Sequence, residues 1–177
     1  NAFGNEMSRT LEELGISDPD FEYVWRGNDL QGNDAPDGLY EAQLVATDDA
    51  GNTGRSRVVR VQKDTRDASV DVTVDGTYIS PRASGGRGQI PIRLEYEPTD
   101  GIDEFLLEVR NSDGQMVRSR YVRSPFSNFV WDGFTNGGTM APDGEYSVWF
   151  QVKYLNGNEP VAQTGTDIIV DGTPPRS

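Results

Sequence analysis

Two stretches of this chain repeat one another. Around Trp25 it reads YVWRGNDLQGNDAPDGLYEAQL, and around Trp131 it reads FVWDGFTNGGTMAPDGEYSVWF. Trp25 and Trp131, Pro36 and Pro142, and Tyr40 and Tyr146 each stand 106 residues apart. That offset is about the length of one small β-sandwich, and a repeat at domain spacing decides the fold before any strand is assigned. Two fainter echoes hold a similar register: GNEMSR from Gly4 with DGQMVR from Asp113, and VQKDTRD from Val61 with IVDGTPP from Ile169.

Alternation of apolar and polar residues is clearest in the second copy, at Val70 to Val74, Ile90 to Tyr96, Phe105 to Val109, Met116 to Val122, Phe129 to Trp131, Tyr146 to Tyr154 and Thr166 to Val170. These seven period-two runs read as half-buried strands. Asp113-Gly114 predicts a type I′ hairpin turn, and Pro91, which lacks an N–H, predicts an edge strand or a bulge. The segment SRTLEELG is the one helix-like stretch, a single capped turn,. The first copy shows four strands, near Met7, Tyr23 to Trp25, Leu39 to Thr47 and Ser56 to Val61. The expected fold is all-β: tandem Ig-like or fibronectin III-like β-sandwiches, the first N-terminally incomplete. Residues 1–64 read as the C-terminal part of a first module, and 65–177 as a second, nearly complete module ending in a linker. The whole reads as a piece of a longer array.

Composition narrows the chemistry. With no Cys and no His, disulfides, thiol nucleophiles, imidazole bases and imidazole-ligated zinc are excluded. A net charge of -13 repels a polyphosphate backbone, so no nucleic acid is expected. No run of 18 apolar residues is long enough to span a bilayer as a helix,. Hydrophobic residues are 34% of the chain, a lean core for a globular protein.

The pattern W-D-G, then A-P-D-G-x-Y, then D-x-T-P-P resembles the FlgD-like immunoglobulin-type domain of the flagellar hook-capping protein and of large bacterial surface proteins. Here it is carried by Trp131, Asp132 and Gly133, by Ala141, Pro142, Asp143, Gly144 and Tyr146, and by Asp171 to Pro175. Their counterparts are Trp25, Gly27, Ala35, Pro36, Asp37, Gly38, Tyr40, Asp64 and Thr65. Tyr78 to Pro81 resembles the F-S-P motif that opens such domains. Arg26 stands where the motif has Asp, and the first joint, DTRD, has no prolines. The resemblance implies an extracellular or cell-surface module (periplasmic is the alternative) without catalytic machinery.

Trp25 and Trp131 are expected to plug the core, and Tyr40 and Tyr146 to bury their rings with the hydroxyl on a turn. The repeat places Tyr40, Ala42, Leu44 and Ala46 on one inward face with Tyr146, Val148, Phe150 and Val152, so Trp149 faces outward as the binding candidate; its counterpart is Gln43. Asp48, Asp49 and Asn52 in the DDAGN turn are the candidate metal ligands, for calcium; Asp, Asn and Gly are also what hairpin turns select. No other cofactor is expected. The functional expectation is a non-catalytic spacer or protein–protein interaction and assembly module of a large exported bacterial protein. Its partners are other modules of the same precursor or another chain that supplies missing strands of the first module. The alternative is a carbohydrate-binding or adhesin module using Trp149, Tyr78 and Tyr154.

Overall fold

The computed structural model describes residues 22–81, 88–165 and 167–173. Met7 and the SRTLEELG segment lie outside them. The chain forms two compact units, Asn1–Thr65 and Arg66–Ser177.

In the first unit the strands are β1 (Gly38–Ala42), β2 (Val45–Thr47), β3 (Thr53–Arg55) and β4 (Val59–Lys63). β1 pairs with β4 and β2 with β3, both antiparallel. The expected continuous strand from Leu39 to Thr47 is thus split at Gln43 and Leu44, and its partner at Ser56 to Val58. At the break the Ser56 hydroxyl accepts the Leu44 N–H (2.9 Å), and Ser56 N–H donates to the Leu44 carbonyl (2.9 Å). A side chain here replaces a backbone acceptor, which lets the ladder bend without leaving a group unpaired. Tyr23 to Trp25 is not a strand.

The second unit holds β5 (Ser69–Val74), β6 (Tyr78–Ile79), β7 (Ile90–Glu97), β8 (Ile102–Asn111), β9 (Met116–Val122), β10 (Asn128–Trp131), β11 (Gly144–Tyr154), β12 (Val161–Gln163) and β13 (Ile168–Val170). One sheet runs β10-β7-β5 and the other β6-β13-β11-β8-β9, with β12 also on β11. The period-two pattern decides what lies between them. Val72, Ile90, Ile92 and Leu94 from the small sheet meet Phe105, Leu107, Val109, Val148, Phe150, Val152, Ile168 and Val170 from the large one. The result is a β-sandwich.

Pro91 is not on an edge. It lies in β7, the central strand of its sheet. The fold tolerates it because the Pro91 carbonyl points toward β5, where it accepts from Asp75 N–H (2.9 Å), one step beyond the last ladder pair, Val74 with Ile92. The missing donor therefore falls where the ladder has already ended.

The Asp113-Gly114 hairpin also differs from type I′, which needs positive φ at both central residues. Among the described residues only glycines have positive φ. Instead Gly114 N–H donates to the Asn111 carbonyl (2.9 Å) and Asn111 N–H to the Gln115 carbonyl (3.0 Å), with Gly114 at φ +77°. This is a type I turn closed by a left-handed glycine. The same bond pair closes the loops at 29–33, 48–52, 135–139 and 154–158. Two pairs of these loops are related by the 106-residue offset, so the repeat is built into the backbone hydrogen bonds.

Candidate functional site

The repeated motif builds one corner twice. Its start is a Trp whose ring N–H is tied to its own loop: Trp131 Nε1 donates to the Phe134 carbonyl (3.0 Å), and Trp25 Nε1 to the Asn28 carbonyl (2.8 Å). Next comes the Pro-Asp-Gly turn, onto whose proline carbonyl the Tyr hydroxyl folds back: Tyr146 to Pro142 (2.7 Å) and Tyr40 to Pro36 (2.5 Å). The rings then meet, Trp131 with Tyr146 at 5.2 Å and Trp25 with Tyr40 at 4.6 Å between centroids. Burial holds the Tyr146 hydroxyl above its ordinary pKa,. Phe134 N–H also donates to the Asp132 carboxylate (3.1 Å), an acceptor that Arg26 does not have. Gly133 is required by contact: a Cβ there would lie 2.5 Å from Pro81 Cγ, so Pro81 of the Tyr78–Pro81 segment packs directly on the turn.

The aspartate of each turn reaches forward to the residues just after the last strand of its own unit. Asp37 accepts from Thr65 N–H (3.0 Å) and the Thr65 hydroxyl (3.0 Å), with Lys63 Nζ at 3.5 Å. Asp143 accepts from Gly172 N–H (2.7 Å) and from the Thr173 hydroxyl. The bond from Thr65 N–H chiefly holds the Asp37 carboxyl below its ordinary pKa, and the Thr173 and Gly172 bonds do so for Asp143,. Sequence comparison pairs these aspartates with each other but does not reveal their partners, which lie 28 and 30 residues downstream. Where the second unit begins, Arg66 pairs with Asp100 through two bonds (2.9 and 3.2 Å), and its carbonyl accepts from Asn158 Nδ2 (2.9 Å).

Trp149 sits on the outer face of β11, half-buried, opposite Glu108 of β8. The Arg110 guanidinium lies 4.4 Å from its ring centroid and is itself held by Glu108 (2.6 Å). One side of the indole is therefore occupied by a cation. Of the other two aromatics expected on a sugar platform, Tyr78 is exposed on β6. Tyr154 is buried (5% exposed), with its hydroxyl on the Pro98 carbonyl (2.9 Å). The face expected to be inward in both copies is inward only in the second: Phe150 and Val148 are fully buried, whereas Leu44 is 45% exposed and Ala42 and Ala46 are exposed.

In the DDAGN turn, Asp48 accepts from Ala50 N–H (3.0 Å), Asn52 N–H (2.8 Å) and Asn52 Nδ2 (2.9 Å). The Asn52 bonds hold its carboxyl below the ordinary pKa. Asn52 thus turns its amide nitrogen, not its oxygen, toward Asp48, and Asp49 is exposed. Among the described residues no three acidic side chains converge as a metal site would require.

Asn136, which the sequence reading passed over, caps a sheet edge. Its N–H donates to the Val117 carbonyl (2.9 Å), its side-chain oxygen accepts from Ser119 N–H (3.0 Å), and its Nδ2 donates to the Ser119 hydroxyl (2.9 Å). A single loop residue so imitates a strand beside β9. The 106-residue offset places Leu30 at its counterpart.

A search of curated proteins finds no match. Among solved structures, dimeric latent PorU from Porphyromonas gingivalis is similar over 80% of this chain and 13% of its own length, at 17% identity and a TM-score of 0.48. The tetra-tandem repeat in the extending region of a large adhesion protein is similar over 80% of this chain and 34% of its own, at 16% identity and a TM-score of 0.47. This chain therefore spans a minor part of either. Among the described residues no helix is long and apolar enough to cross a membrane. The family profile of the FlgD Ig-like domain matches residues 80–157, which hold the Trp131 corner.

Proposed function

We propose that this chain is a non-catalytic spacer and assembly segment of a large exported bacterial protein, placed at the cell surface. One observation carries the reading. Arg66 is tied by Asn158, just past the C-terminal end of β11, and Gly172 and Thr173 are tied by Asp143, just before its N-terminal end. The chain therefore joins and leaves the second unit at opposite ends of an 11-residue strand, a separation of about 35 Å at the usual rise per residue. A module with that layout adds length when repeated. Its partners are other modules of the same protein or a chain that adds strands to the first unit, whose Leu44 face is open while the equivalent Phe150 face is covered.

The test is to insert further copies of residues 66–173 in series and measure the distance between labels on the flanks. We expect a constant increment of about 35 Å per copy. Copies that add no length overturn the spacer reading.

A further inference from the structure

The spacer reading says nothing about load, and the arrangement of the terminal strands adds one. β6 and β13 are parallel neighbours, Tyr78 beside Ile169 and Ile79 beside Val170. Their bonds, Ile169 N–H to the Thr77 carbonyl (2.7 Å) and Asp171 N–H to the Ile79 carbonyl (3.0 Å), lie across the strand direction,. Ahead of them, β5 is fastened to β7 over its whole length, from Ser69 with Glu97 to Val74 with Ile92. Outside the strands, the Arg66 bonds to Asp100 and Asn158 guard the first tie, and Asp143 guards the last.

We propose that the second unit is a tension-bearing link whose β6–β13 pair is loaded in shear. When parallel strands are pulled from opposite ends, each crosses its partner lengthwise, so the bonds between them must break together rather than one after another. The Asp143 bonds to Gly172 and Thr173 continue the same row beyond β13, so the force meets them before it reaches Asp171. In the first unit the last strand, β4, has an antiparallel partner, β1, among the described residues. That pair lacks the parallel fastening of β6 and β13.

This inference rests on the spacer reading, and its test fails separately. The full chain is pulled between handles at its two ends, and the rupture of the second unit is recognised by its longer released length. Asp171→Pro removes one of the two β6–β13 donors and should lower that rupture force about twofold. Gly114→Ala, which strains a distant hairpin turn with φ +77°, should lower thermal stability but leave the rupture force unchanged. Asp143→Ala, which spares the ladder, should also lower the force and serves if the proline variant does not fold. Equal force loss in the Gly114 and Asp171 variants would mean that force follows overall stability and overturns the proposal. So would a second unit that ruptures no later than the first, or a force unmoved by both Asp171→Pro and Asp143→Ala. Any of these results leaves the length increment of the spacer experiment untouched.

Discussion

The two units carry the same corner in different surroundings. Their Trp and Tyr bonds match one for one, each turn aspartate holds the chain just after its unit's last strand, and the loops at 29–33 and 135–139 and at 48–52 and 154–158 close alike. Burial does not match. Trp131 is fully buried and Trp25 half-buried; Phe150 is at 0% exposure and its counterpart Leu44 at 45%. Among the described residues Ala35 is the one buried hydrophobic residue of the first unit, and every other belongs to the second. Turn chemistry is local and forms wherever the sequence repeats, whereas a core forms only where a second sheet lies over the first. Tyr154 and Asp48 make the point at single-residue scale: the same turn position anchors a ring under one sandwich and a carboxylate in a hairpin loop of the other.

The largest expected effect lies in separating the halves. Residues 65–177 should melt cooperatively alone, and residues 1–64 should not, because two-stranded pairs with an exposed apolar face, as among the described residues of the first unit, bury too little to offset chain entropy. Thermal melts of the two fragments check this, and a cooperative transition in the first would break the contrast. Next, Trp131→Ala should cost about 3–5 kcal/mol, as deletion of a fully buried large aromatic does. Trp25→Ala should cost clearly less; similar losses in denaturant titrations would show that the half-buried ring is equally enclosed in solution.

Smaller effects sharpen the comparison. Trp149→Ala should cost under about 1 kcal/mol, as at most surface sites, and a larger loss would place Trp149 in the core rather than beside Arg110. The mildest probe is acid. Asp37 and Asp143 both have lowered carboxyl pKa values, so what they contribute is present above the unfolded-chain pKa of about 3.9 and is lost as pH falls through the lower folded value. The Thr65 and Gly172 amide resonances should therefore move together, with midpoints below about 3.9. A midpoint at or above that value in either unit would remove its clamp.

Much of this was readable in the residues. The period-two runs place most strands of the second unit, because alternation reports which face is covered, and the offset pairs Trp25 with Trp131 without any structure. What stayed hidden depends on contacts distant in sequence. Pro91 looks like an edge residue until the end of the β5 ladder is known. Leu44 looks as inward as Phe150, because a pattern states which side is apolar and not whether anything covers it. Tyr154 alternates with Trp149's neighbours in the same way whether its ring ends in solvent or under Pro98. Asp48 reads more readily as a turn residue than as a ligand, and its bonds to Ala50 and Asn52 belong to the turn,.

Asn136 bears on how such modules survive one another's company. Domains strung on one chain meet at effective concentrations near the millimolar range, where an unguarded strand edge invites pairing with its neighbour's. Occupying Val117 and Ser119 with one asparagine withdraws that edge from competition without adding a strand. The corresponding position in the other copy is Leu30, whose side chain has no amide with which to make the same pair of bonds.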